Sequence, residues 1–368
     1  MVVIALAALS GLLVFKKPDH SLPAAIVTRA DRATSQSPPE APQNGDALRE
    51  LAATANRLRG GSAIDSAREL AWLRSHLDSL GKTAAASAAR GYLDSGADAL
   101  TGLGFKLTAA GQLQEAPTLR LFLMDYLIQA DPKVAAAYAR RIFVSFGSPD
   151  EWAICLRACA LGDPTPDGVS YLRQKMRQLL MHEEWRNQPS VGFLEAFDVT
   201  VFTRATDLTP DLATCVKQTD NRALAHAAYL TLDRLIQAEP ANTLSILQSQ
   251  PQLLDGREGT RADFFARSDV RDGQQRQILE SYLLDPGRSA AEWSAFAGIY
   301  PNANYMVSHN LLTQTQTPTG NEIAARDQEA LKVTVEWLND SRFSSHQAEL
   351  QMVRSRLEGF VHSRSTGK

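Results

Sequence analysis

LRLFLMDYLIQADPKVAAAYARRIF, residues 119–143, reads as two apolar helices meeting at a corner. Asp131 can cap the second helix, and Pro132 suits its first helical position. The core of this stretch, LIQADP at 127–132, returns as LIQAEP at 235–240, 108 positions later. The second copy also lies between apolar runs, ALAHAAYLTLDRLIQA before it and ANTLSIL after it. A separation of 108 is three units of about 36, within the range of helical-repeat families.

Working outward, the same punctuation recurs. SPDEW at 148–152 places Ser148 at a cap, Pro149 at the first helical position and Glu151 three residues on, and SAAEW at 289–293 repeats that logic with Ser289 and Glu292. Thr165-Pro166, Thr209-Pro210 and TRAD at 260–263 are further expected starts. SAIDSARELAWLRSHLDSLG at 62–81 predicts a helix capped by Ser62, ended by Gly81, and striped by Ile64, Ala67, Leu70, Leu73, Leu77 and Leu80. The two S-x-x-E-W starts do not share the register of the LIQA pair, so common construction rules are expected rather than a strict period. Only FKLTAAGQLQE at 105–115 carries strand signals, and it fits either a small hairpin or an irregular loop.

From residue 46 to about 360 the body resembles the α-solenoids, and most nearly the HEAT-like repeat proteins, on the strength of these capped helix pairs and the LIQA[DE]P corners. It lacks the W-x2-L-G-x2-Y run of tetratricopeptide repeats. The resemblance implies an all-α stack of antiparallel hairpins that holds another protein, and it implies no catalytic residues.

The chain has 368 residues, 44% hydrophobic and 21% charged, with a net charge of −3 and no long basic run. Phosphate binding needs concentrated positive charge, so a nucleic-acid partner is not expected. MVVIALAALSGLLVFKK at 1–17 opens with fifteen residues free of side-chain charge. As a helix they span about 22 Å, short of a bilayer core but suited to a signal or anchor segment. Residues 18–45, rich in Pro and Ser, read as a disordered tether, 46–362 as the body, and 363–368 as a frayed tail. A membrane anchor at the N-terminus, single-pass, or export is therefore expected, with the side of the membrane open.

No metal, cofactor or catalytic motif stands out. His182-Glu183-Glu184 lacks the second histidine of H-E-x-x-H, and Cys155 and Cys159, four apart, suit a helix interface better than half a metal site. The pair Glu280-Ser281 resembles that of helical lytic transglycosylases, where the glutamate is a general acid, but the rest of that family's pattern is missing. An envelope hydrolase or lyase with dispersed carboxylates is thus the alternative to a scaffold. Trp152 and Trp293, four residues after their caps, are expected in the core. YPNANYMVSHNLLTQTQTPTG at 300–320 departs from helical periodicity, and Tyr300, Asn302, Asn304, Tyr305 and His309 form the expected partner-binding surface.

Overall fold

Why the chain forms short helices rather than long ones follows from its caps. A polar side chain closes one helix start after another: Ser62 accepts from the Asp65 amide, Asp131 from Lys133 and Val134, Ser148 from Glu151, Thr165 from Gly168, and Ser289 from Glu292. The computed structural model describes residues 44–304 and 310–366. The expected anchor and nearly all of the expected tether lie outside them.

Helices α1 (Asn44–Leu58), α2 (Ala63–Ser79) and α3 (Lys82–Asp94) lead to a hairpin of β1 (Lys106–Leu107) and β2 (Leu113–Glu115). Then come α4 (Leu119–Ala130), α5 (Pro132–Ile142), α6 (Pro149–Gly162) and α7 (Pro166–Met181). Three short helices follow, α8 (Glu183–Asn187), α9 (Val191–Glu195) and α10 (Asp198–Phe202). The stack resumes with α11 (Thr209–Val216), α12 (Arg222–Ala238), α13 (Pro240–Ser249), α14 (Glu258–Phe265), α15 (Gly273–Leu283) and α16 (Ala290–Ile299). A non-helical strap then leads to α17 (Gly320–Asn339) and α18 (Gln347–Thr366). The fold is all-α, with successive helices packed as hairpins: α4 on α5, α5 on α6, α11 on α12, α12 on α13, α17 on α18. One continuous apolar core runs from Ala47 to Leu357.

Several local expectations change. In α2 the buried face is Ser66, Leu70, Leu73 and Leu77, while Ile64 is 73% exposed and Ala67 faces solvent. Apolar spacing fixed the period of this helix, and packing shifted its first turn. At TRAD the helix has already begun at Glu258, and no side chain caps it. Thr209 follows a 3-10 turn directly, so it lies inside a helix rather than capping one. The first helix starts at Asn44, two residues before the expected body, and the last runs to Thr366, through most of the expected tail. Residues 105–115 do form the hairpin, antiparallel, with Lys106 opposite Glu115.

The two LIQA corners are built alike, and the likeness extends beyond the quoted letters. Asp125 stands four residues before Gln129, and Asp233 four before Gln237. Each glutamine amide donates to its aspartate at 2.9 Å. Each aspartate is buried and takes an arginine from farther along the stack, Arg157 for Asp125 and Arg267 for Asp233, 32 and 34 residues downstream. Asp198 and Arg234 form a third such pair, 36 apart at 2.9 Å. A ladder of Asp–Arg pairs therefore ties α4 to α6, α10 to α12, and α12 to the segment after α14.

The two S-x-x-E-W starts make a second echo. Arg120 donates to Glu151 at 2.9 Å and Arg261 to Glu292 at 2.7 Å, both across 31 residues. A tyrosine joins each pair: Tyr138 accepts from Arg120, and Tyr282 donates to Glu292. Trp152 and Trp293 are buried beside them. Thus α4–α6 resembles α12–α14 in one set of contacts and α14–α16 in another, which is why no single register fits both.

Candidate binding cleft

The non-helical stretch between α16 and α17 is fixed to the body by hydrogen bonds and by the buried side chains of Tyr300 and Leu311. One carboxylate accepts three of these bonds. Asp198, at the start of α10, accepts from the Leu312 amide at 2.6 Å, the Thr313 amide at 2.7 Å and the Thr313 hydroxyl, while it also pairs with Arg234. The Gln314 amide donates to the Ala109 carbonyl of the hairpin turn at 3.2 Å. Beside it, Gly111 has φ +73°, and a Cβ there would lie 2.3 Å from the Leu311 carbonyl oxygen. Only glycine lets the strap lie on the hairpin so closely.

Fixed in this way, the strap lines part of a cleft of about 760 Å³. Thr313 to Pro318 form that part of the lining. Most of the rest of the lining comes from the end of α10 with Arg204, the last turn of α12, the segment after α14, and the first turns of α17. Arg204, Arg234, Arg267 and Arg326 all reach the lining, against the carboxylates Asp269 and Glu322.

These charges are not equivalent. Arg267 grips Asp233 with two bonds, at 2.7 and 2.9 Å, and donates to the Asn302 and Asn304 carbonyls. Arg234 bridges Asp198 and Thr313, and Arg204 pairs with Glu239 from an exposed position. Asp269 is held by Arg271, and Glu322 closes a capping box with Thr319, whose amide and hydroxyl hold its carboxyl below the usual range. Arg326 differs: it donates to the carbonyls of Asn302, Ala266, Arg267 and Ser268, and no carboxylate among the described residues lies at ion-pair distance. Its Nε is buried without a partner, as is the Thr315 hydroxyl on the strap wall. Burial lowers the pKa of this guanidinium.

Glu195, at the end of α9, sits three residues before Asp198. Burial first and the Asp198 charge second push its carboxyl up to about 7, against the pull of Arg234.

Of the residues expected at the partner-binding surface, Asn304 is exposed and lines the cleft. Tyr300 and Asn302 are instead buried. Tyr300 stacks on Phe296 with ring centres 4.8 Å apart, and Asn302 ties its amide to the Ala266 carbonyl at 2.8 Å. An aromatic ring four residues into a stacked aromatic series gains more from the core than from solvent. Tyr305 and His309 lie outside the described residues. The arginines of the cleft carry no motif, and they converge from positions 204 to 326 only through the fold.

The other candidate groups hold structure together. Glu280 accepts from Trp337 at 3.0 Å and from Arg276 at 2.9 Å, joining α15 to α17. His182 accepts from the Trp185 amide and caps α8. Cys155 and Cys159 are buried in α6, where desolvation pushes both thiols up, Cys159 to about 11. Among the described residues no cluster of His, Cys, Asp or Glu is arranged to hold a metal, and no helix is long and apolar enough to cross a membrane.

No known protein family, curated protein or solved structure matches the chain.

Proposed function

We propose that the chain is a membrane-tethered, HEAT-like helical scaffold that holds a segment of another protein in the strap-walled cleft. The observation that carries this reading is the cleft itself. About 760 Å³ of space, large enough for several side chains, is walled by a strap that buried Leu311 and three bonds to Asp198 fix against the body. Each carboxylate on its lining is engaged by a neighbour, which suits binding better than proton transfer. In this reading residues 1–17 are the membrane anchor and residues 18–45 the tether.

The test is crosslinking in intact cells, then isolation of the full chain from detergent-solubilised membranes and mass spectrometry. One partner recovered near stoichiometry is the expected result. A folded chain that recovers nothing above background, or that fractionates away from membranes, overturns it.

A second reading, an envelope hydrolase or lyase, draws on Glu195, whose carboxyl titrates near neutral pH. Turnover of an envelope polymer, abolished in Glu195→Gln, is the result that would favour it.

A further inference from the structure

The scaffold reading leaves open how the cleft holds a segment, and the main chain of the strap narrows it. Residues 313–319 run without turn, bend or helix until Gly320 opens α17. Thr313 and Thr315 are half-buried while Gln314 and Gln316 are exposed, the alternation of an extended strand. The Leu312 and Thr313 amides are committed to Asp198. Beyond them, the main-chain N–H and C=O groups of Gln314, Thr315, Gln316 and Thr317 make no hydrogen bond among the described residues. The neighbouring hairpin pairs within itself, β1 with β2. An extended chain with its N–H and C=O groups unpaired is half of a β-ladder.

The cleft runs along that half-ladder. Successive side chains of a strand point to opposite faces, so a cleft met through one face alone would be lined by every second residue. Instead every residue of 313–318 lines it. The cleft therefore borders an edge of the strap, where the main-chain groups lie. Residues 314–317 present about 13 Å of that edge, at about 3.3 Å per residue.

The charges around the cleft balance one another. Asp198, Asp233 and Glu239 answer Arg234, Arg267 and Arg204, while Asp269 and Glu322 answer Arg271 and Arg326. A charged occupant would have no counterpart, so the fitting one is neutral. The exposed side-chain amides of Asn304 and Gln316 on the lining suit polar side chains, and the exposed ring of Phe202 suits an apolar one. A neutral sugar could use the same amides, but it would leave the regular row of donors and acceptors on the strap largely unmatched. An extended peptide carries the matching row.

We propose that the cleft takes a neutral, extended peptide segment by strand addition to the strap at residues 314–317, with main-chain hydrogen bonds as the chief source of affinity. The proposal rests on the scaffold reading for the source of the segment, and the edge itself is tested separately.

The probe is a capped neutral pentapeptide, acetyl-TQVQT-amide, added to the full chain in neutral detergent, with amide exchange followed residue by residue by NMR. In the free chain the amides of 314–317 exchange fast, and those of Leu312 and Thr313 are protected. At saturation the peptide slows exchange about tenfold or more at one alternate pair, 314 with 316 or 315 with 317, because only alternate residues of a strand face one edge. A counterpart N-methylated at every internal amide has no such effect. Counterparts with Glu or Lys in place of the central Val bind at least about threefold more weakly. Thr315→Pro and Gln316→Pro each remove an N–H that the fold leaves unpaired, and the one on the edge in use weakens binding about tenfold with Leu312 still protected. Should a proline variant unfold the strap, the N-methylated peptide on the wild-type chain still decides. Protection of 314–317 already present in the free chain, no protection on adding the peptide, equal action of the N-methylated peptide, or binding of cellotriose in place of the peptide each overturns the proposal.

Partner isolation with the proline variant that loses the peptide separates the two ideas. If it recovers a partner as well as the wild type does, the strand-addition site falls and the scaffold stands. If the peptide adds to the strap but no partner is recovered from cells, the scaffold falls and the site stands.

Discussion

Asp125 and Asp233 occupy the same place in two copies of one corner, and each sits between a glutamine amide and an arginine. Removing either acid leaves a buried guanidinium without its charge partner. Asp125→Ala and Asp233→Ala are each expected to cost about 3–5 kcal/mol in chemical denaturation. Replacing Asp233 and Arg267 together by leucine and methionine should recover most of that loss, because the penalty lies in the unpaired charge rather than in the missing bond. Burial raises the carboxyls of Asp125, Asp233 and Glu195 alike, and Glu195 shifts far into the neutral range. Its folded carboxyl lies near 7, above its unfolded value of 4.5. The stability linked to its protonation is therefore complete below pH 4.5 and is lost as pH rises through 7. Glu195→Gln should flatten the pH dependence of Tm between pH 5 and 8, and an unchanged slope would refute the assignment. The matching letters LIQA[DE]P were legible in the sequence. The acids four residues before each glutamine gain their meaning only with an arginine more than thirty positions away, and a single chain does not announce such a pairing.

Elements were the most legible level. Ser62, Asp131, Ser148, Thr165 and Ser289 cap where they were expected to, because a cap is a local bond between neighbours in sequence. The phase of α2 was less so, since the surrounding helices decide which residues of a stripe are covered. The strap was legible as an irregular stretch but not as a cleft wall. Its course depends on Asp198, more than one hundred residues earlier, and on Gly111. Gly111→Ala meets both a left-handed backbone and the Leu311 carbonyl, so a loss of about 2 kcal/mol or more is expected, with faster amide exchange at Leu312 and Thr313. Thr319→Ala removes the capping box of α17 and should cost about 1 kcal/mol while leaving strap protection at Leu312 intact. If Gly111→Ala is neutral, the strap does not lie on the hairpin in solution.

At the scale of the whole molecule, the ladder joins helices that belong to different hairpins. Asp233→Asn should raise amide exchange in α14 as well as in α12, and Asp125→Asn in α6, while α16 stays protected in both. Exchange confined to the substituted helix would mean that the stack behaves as independent hairpins. The candidate site is also a property of this scale. Arg204, Arg267, Thr315 and Arg326 come from separate stretches of chain, and each looks like an ordinary surface residue when read alone.

The ladder also bears on how such a chain can change length. An acid in one helix and its arginine two helices on are two halves of one contact, so the stretches α4–α6 and α10–α14 do not divide into self-contained hairpins. Deleting a single one strands an acid on one side of the join and an arginine on the other. They can meet only if the new neighbours happen to fall in register. Duplication has the same difficulty in reverse. Viable insertions should therefore enter the loops between helices, and whole hairpins should be gained or lost only where the join re-forms a complete Asp–Arg rung.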